Sequence, residues 1–438
     1  MQPSDPRLIL GHLVWFDGDP FDDPAAALRD EADGAVLVRD GMIAATGPAA
    51  ALRAAHPEVA VSDHRGKLLM AGFVDTHVHY PQTHIIASYG AQLLDWLQRY
   101  TFPAEAAFAD PAHARRVAAF FLDEMLANGT TSASVFCTVH PSSVDAFFAE
   151  AAARDLRVAA GKVLMDHGVP GDLRDDAQSA YDDSAALIAR WHGSGRARYA
   201  ITPRFALTSS PAQLAAAGAL WTAHPDVLMQ THLSENQAEI AAVAARFADM
   251  EDYLGVYEHF GLLGPGANFG HGIHLRPREI ARLAESGAAV AHCPTSNLFI
   301  GSGLFDLDGL RRAGVRIGLA SDVGGGSSLS MLATMRAAYE VAQLRGVSLH
   351  PAQAFWLATV GGAASLRMDR WIGNLRPGME ADLIALDPAA TRILAARSAR
   401  AESIADLLFA LMILGDERAV AGVYVRGRLV AFGHAGGA

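Results

Sequence analysis

His77 and His79 stand two apart in the string VDTHVH. In a β-strand that spacing turns both imidazoles to one face, with Asp75 pointing the same way. Two imidazoles on one face can grip a single metal ion. The chain has 18 histidines, so one His-x-His pattern alone carries little weight and an ordinary structural pair accounts for it equally well. Further groups change the balance: His232 in THLSE, His271 in FGHG and Asp322 in ASDVG all fall at or near the C-terminal end of an apolar, strand-like run. Neutral imidazoles with a carboxylate and one position open to water describe a catalytic zinc site. Singly, each is satisfied as a core histidine or a turn-capping aspartate; together they point to metal-assisted hydrolysis. Glu235 follows His232 by three residues and is a candidate proton shuttle over the metal. A first-turn carboxylate of the following helix is its structural alternative.

These groups need a frame that brings distant strand ends together. Eight candidate strands recur at 71–79, 130–136, 157–165, 198–205, 228–235, 267–275, 288–297 and 315–324. Ala-rich segments of helical spacing lie between most of them; PAHARRVAAFFLDEMLANG ends in Gly129, a good residue for closing a helix. Alternating βα units with strands that turn polar at their C-terminal ends predict an α/β fold, a (β/α)8 TIM barrel whose mouth gathers the histidines. The two chain ends read differently. LILGHLVWF and GAVLVRDGMIAATGP at one end, ADLIALD and AVAGVYVRGRLVAFG at the other, are short alternating strands broken by Asp-Gly, Gly-Pro and Arg-Gly. They predict a small β-sandwich domain formed by both termini: residues 1–68 and 373–438, with the barrel over 69–372.

Composition narrows the function classes. A net charge of −12 argues against nucleic acid or an anionic membrane as partner. The two cysteines, Cys137 and Cys293, are too far apart for a redox pair or zinc ribbon. No secretory signal is read at the N-terminus and no run of about 18 apolar residues occurs, so a cytoplasmic protein is expected.

GFVDTHVH, THLSE, the GHG histidine, HCPTSN and the Ser-Asp of the eighth strand together resemble the amidohydrolase superfamily, over essentially the whole chain. Longer strings, HYPQTHIIASYGAQLLDWLQRYTFPAE, GKVLMD, TPRFALTSS, HCPTSNLFIGSGLFDL and SDVGGGSSLSML, are similar to its guanine-deaminating members. The resemblance implies one zinc ion per chain held by His77, His79, His232 and Asp322, with His271 orienting water or stabilising charge. Dinuclear relatives bridge two metals with a lysine; Arg204 stands at the end of the fourth strand here, and Lys162 lies inside the third. The same resemblance implies Asp322 and Glu235 as proton carriers in the hydrolysis of guanine to xanthine and ammonia. Gln82, Arg204 and Phe205, with His232, Glu235 and Asp322, would contact this purine substrate. A homodimer is the family's usual assembly.

Other residues take bland readings. His274 falls on the opposite face from His271; His292, Cys293, Cys137 and His140 pack near the site without ligating. Gly324 to Gly326 lack the lysine of a phosphate loop and serve a tight turn after Asp322. The long stretch from Tyr80 to Phe108, with Trp96 and Phe102, is expected to form a partly helical lid. Deamination of an oxidised purine or a pterin, or a catalytically silent metal-binding or ligand-binding relative, are the alternatives.

Overall fold

The structure, a computed structural model, describes residues 6–90 and 92–432. In chain order its strands are β1 (Arg7–Phe16), β2 (Leu28–Arg39), β3 (Met42–Pro48), β4 (Ala60–Ala71), β5 (Phe73–His79), β6 (Thr130–Phe136), β7 (Arg157–Gly161), β8 (Val163–Leu164) and β9 (Arg198–Pro203). They continue with β10 (Leu228–Leu233), β11 (Ala267–His271), β12 (Ala289–His292), β13 (Arg316–Leu319), β14 (Leu383–Leu386), β15 (Val420–Val425) and β16 (Arg428–Phe432).

Eight of these strands form the barrel, in the order β5-β6-β7-β9-β10-β11-β12-β13, with the two-residue β8 pairing β9 alongside. Neighbours are parallel. The ring closes where Asp322 N donates to His77 O (3.0 Å) and His79 N to Val323 O (2.9 Å), joining β5 to the chain just beyond β13. Every residue of β6 is buried, as strands covered on both faces must be. All eight expected strands are present; β5 and β6 end where expected, and the other six end sooner than their apolar runs. After β12, Pro294 opens the helix Pro294–Phe299 instead, its fixed φ being suited to a first helical turn. The expected helix forms as Pro111–Ala127; Asp110 accepts from Ala112 N, and Gly129 leaves it at a φ of 81° that favours glycine.

The remaining strands make one seven-stranded sheet, β16-β15-β14-β4-β1-β2-β3, drawn from both ends of the chain. Its hairpins turn at Asp40-Gly41 (φ 52° and 77°) and Arg426-Gly427 (φ 48° and 71°), the two positive angles of a type I′ turn. The sheet curls on itself: Ile43 N donates to Met379 O and Ala381 N to Gly41 O, bringing the β3 edge back to the approach of β14. Ile9, Val36, Leu69, Leu383 and Tyr424 fill the space inside. Alternate residues of β4, Leu68 and Met70, instead join the core shared with the barrel.

Candidate active site

β5 carries His77 and His79, β10 carries His232, and Asp322 lies three residues past β13. Their ligand atoms all fall within 4.8 Å of one another. His79 Nε2 is 3.3 Å from His77 Nε2 and 3.2 Å from His232 Nε2, while Asp322 Oδ1 is 3.4 Å from His77 Nε2 and 3.5 Å from His79 Nε2. A tetrahedral shell with bonds of ~2.0–2.1 Å places its donor atoms about 3.3–3.4 Å apart. Three imidazole nitrogens and a carboxylate oxygen converging at these separations fit a divalent cation. Burial lowers the pKa of His77, and lowers those of His79 and His232 well below the ordinary value, which keeps them in the neutral, ligating form. Burial alone would raise Asp322, but its bond with His77 and the charge of His271 outweigh that and hold it at about 2.

The residues around the shell are held by their own partners. His232 Nδ1 donates to Arg204 O (2.7 Å), which leaves Nε2 as the lone-pair nitrogen. Asp75 lies one pleat below the histidines and is no part of the shell: its carboxylate accepts from Ser321 N (3.0 Å), His77 N (3.2 Å) and Ser321 Oγ, fastening β5 to the approach of Asp322. His271 Nε2 is 3.3 Å from Glu235 Oε2 and 3.7 Å from Asp322 Oδ2, and its Nδ1 donates to Asn297 Oδ1 (2.9 Å). Burial opposes a charge on His271, yet Glu235 and Asp322 prevail and raise its pKa. Burial pushes Glu235 up to about 7. His271 (φ 70°), Asp322 (φ 49°) and Ser234 (φ 48°), next to Glu235, all adopt left-handed backbone. Such strain concentrates where side chains must be aimed. Glu235 does not cap the following helix: Asn236 does, and Glu239 accepts from the N–H groups of Glu235 and Asn236.

Beside the shell lies a cavity lined by Gln82, Trp96, Arg204, Phe205, Glu235 and Ile300, among others. Its polar wall turns on a residue that sequence reasoning did not single out. Glu105, fully buried in the helix Phe102–Ala106, accepts from Arg204 Nη1 at 2.8 Å on both oxygens and from Gln82 Nε2 at 3.1 Å. Gln82 Oε1 in turn accepts from Gly324 N (3.3 Å). The stretch after β5 is largely helical, as expected: Trp96 lines the cavity, whereas Phe102 lies behind Arg204, its ring 5.9 Å from the guanidinium carbon. Glycine is required after Asp322, because a Cβ on Gly326 would sit 1.7 Å from Ser321 O.

The Amidohydrolase family profile matches residues 68–430. The chain belongs to the amidohydrolase family. Within that family it is similar to a guanine deaminase of Escherichia coli, 47% identical over 407 residues and covering 93% of each chain. A solved structure of E. coli guanine deaminase superposes with a TM-score of 0.95 at 45% identity, over 97% of this chain and 99% of that one. A guanine deaminase from C. acetobutylicum with guanine bound in its active site superposes at 0.89, with 26% identity over 98% and 100% of the two chains.

This amidohydrolase thus brings together every site residue read from the sequence: His77, His79, His232 and Asp322 in one shell, Glu235 and His271 beside it, Gln82, Arg204 and Phe205 in the adjoining wall. His274 turns away and bonds Ser302 O (2.8 Å), and His292 stacks on Phe305 with ring centroids 4.2 Å apart. Lys162 pairs with Asp175. Three supporting residues escaped the sequence reading: Glu105, Asn297 and Ser302, whose hydroxyl donates to Glu235 Oε1 at 2.9 Å. Asn297 lies within HCPTSN and Glu105 within RYTFPAE, but no spacing rule links either to its partner across the barrel.

Proposed function

We propose that this amidohydrolase hydrolyses guanine to xanthine and ammonia, in purine catabolism or salvage. The observation that carries the reading is Gln82 and Arg204 in the wall of the cavity beside the His–Asp shell, both held from behind by the buried Glu105: fixed donors and acceptors for a purine edge, next to groups that activate water. Similarity to guanine deaminases along the whole chain supports it.

His77, His79, His232 and Asp322 would hold one zinc ion per chain. When bound, zinc supplies Lewis acidity that lowers the pKa of water toward ~7. The chain's own groups do the rest. Arg204, with Nη1 committed to Glu105, directs further N–H donors at the 6-oxygen; Gln82 meets the ring edge and Phe205 packs on the ring. Asp322 takes a proton from the attacking water, and Glu235 delivers one to the ring nitrogen beside the carbon that bears the amine. His271, oriented by Asn297, turns its Nε2–H toward the charge that develops on oxygen. Water contributes its oxygen to that carbon; one of its protons stays on the ring nitrogen and the other leaves on ammonia.

We further propose that the catalytic unit spans residues 69–372 and that the protein is a cytoplasmic homodimer. No helix among the described residues is long and apolar enough to cross a membrane. The test is ammonia release from guanine, adenine, 8-oxoguanine and pterin, with metal content measured on the same sample. Guanine is expected to be turned over best by protein containing one zinc per chain. Preference for another heterocycle would reassign the substrate, and zinc-loaded protein inert on guanine would overturn the proposal.

A further inference from the structure

A large concavity lies on the opposite face from the His–Asp shell. It holds about 650 Å³ and opens between the N-terminal ends of barrel strands. Arg198 and Arg316 are the first residues of β9 and β13, and Arg311, Arg367 and Arg370 complete a set of five arginines around it. Only two carboxylates, Asp226 and Asp369, share the lining. Arg311 is neutralised by Asp19 and lies against Trp356. The others are not. Arg198 Nη2 donates to the backbone oxygen of Asp226 (2.7 Å), while its Nε is buried with no partner. Arg367 reaches only the backbone oxygen of Pro265 (3.4 Å). Arg370 lies over the Trp371 ring at 3.7 Å. Asp226, for its part, pairs with His192.

We infer that this basal cavity is a binding site for a phosphate-bearing small anion. In a chain of net charge −12, four guanidinium groups facing one cavity with no ion-paired carboxylate among the described residues leave a local excess of positive charge that attracts anions. Guanidinium forks match phosphate oxygens bidentately, which a scatter of lysines would not do. The size selects among anions. A cavity of this volume lies in the range that encloses a small organic ligand, and a single sulfate or phosphate would leave most of it empty. An extended phosphate chain, inorganic or borne by a nucleoside, bridges Arg198 and Arg316 to Arg367 and Arg370. Repulsion among the arginines agrees with this: burial and then the charges of Arg157, Arg367 and Arg370 lower the pKa of Arg198. A bound anion offsets that repulsion.

The site is joined to the barrel floor. Gly361, Ala364 and Ser365 of the helix Val360–Ser365 line the cavity. Just before that helix, Ala358 O accepts from Val74 N (2.8 Å) at the base of β5, the strand that carries His77 and His79.

The test is calorimetric titration of the zinc-loaded protein with pyrophosphate, then with guanosine triphosphate, at constant ionic strength, beside the double variant Arg316→Glu/Arg367→Glu. The expected result is saturable binding near one ligand per chain, weakened at least tenfold in the variant, whose turnover of guanine without ligand is unchanged. Any chelation of zinc is common to both proteins, so their difference reads the arginines. Equal affinity for the two probes assigns the site to the phosphate chain alone, and tighter binding of the nucleotide assigns it to a nucleoside polyphosphate. Should the double variant not fold, Arg370→Gln serves, with binding weakened in the same sense. Absence of saturable binding by both probes, or undiminished binding by the folded variants, overturns the inference.

Discussion

Both carboxylate oxygens of Glu105 accept from one guanidinium nitrogen, Arg204 Nη1, at 2.8 Å, and neither residue is more than 2% exposed. The pair joins the helix Phe102–Ala106, in the long connection after β5, to the end of β9 on the far side of the cavity. Because Arg204 O also accepts from His232 Nδ1, one residue sets both the substrate wall and the tautomer of a candidate metal ligand.

Removing Glu105 leaves Arg204 as a buried charge without its partner. Glu105→Ala is expected to cost roughly 3–5 kcal/mol of stability, read by denaturant unfolding of zinc-loaded protein. Glu105→Gln keeps the bond to Gln82 in shape but not in charge. Its kcat/KM on guanine should fall by about a hundredfold, the scale of a misplaced binding group, with zinc content unchanged. Wild-type efficiency in Glu105→Gln would show that Arg204 holds its place without the pair.

The shell should fail as a unit. His79→Ala and His232→Ala each delete one of four donors converging within 4.8 Å. Both are expected to lose metal and turnover together, by elemental analysis and ammonia release on the same preparations. Full occupancy in both would move the metal elsewhere.

Glu235 is separable from the shell, since its carboxylate faces His271 and Ser302. Glu235→Gln should keep zinc and lower turnover by about a hundredfold or more, as loss of a general acid–base group does. Near-normal turnover would reduce Glu235 to a packing residue.

Asn297→Ala removes the acceptor that orients His271. A fall of about 10–100-fold in turnover is expected, the range found when a residue supporting an active-site histidine is lost, with no change in guanine KM beyond a few-fold. An unchanged rate would mean that Glu235 and Asp322 alone position the ring.

Specificity follows from the polar wall. A donor set aimed at a 6-oxygen meets an amine in adenine, and such a mismatch typically costs ~1–3 kcal/mol when buried. Adenine also lacks an amine at the carbon beside the metal shell, so no ammonia is expected from it. Arg204→Leu should damage guanine turnover far more than zinc content. Efficient release of ammonia from adenine would contradict this wall.

Much of the protein is legible in its sequence because the signals are local and periodic. A His-x-His in a strand puts two imidazoles on one face whatever surrounds it, and eight apolar runs, many of which turn polar at their C-terminal ends, mark both the barrel and its working mouth. The Asp-Gly and Arg-Gly turns marked the hairpins at both chain ends for the same reason. Other features belong only to the tertiary structure. The curl of the terminal strands into one sheet depends on backbone bonds between residues 41–43 and 379–381. The sequence left Glu235 between a proton shuttle and a first-turn carboxylate of the following helix, and the fold alone gave that helix start to Asn236 with Glu239 and turned Glu235 toward His271. Glu105 and Arg204 are 99 residues apart, and Asn297 is 26 from His271. No periodicity spans such separations, because a buried carboxylate is placed by the charge it must neutralise, and that partner is known only once the barrel has closed.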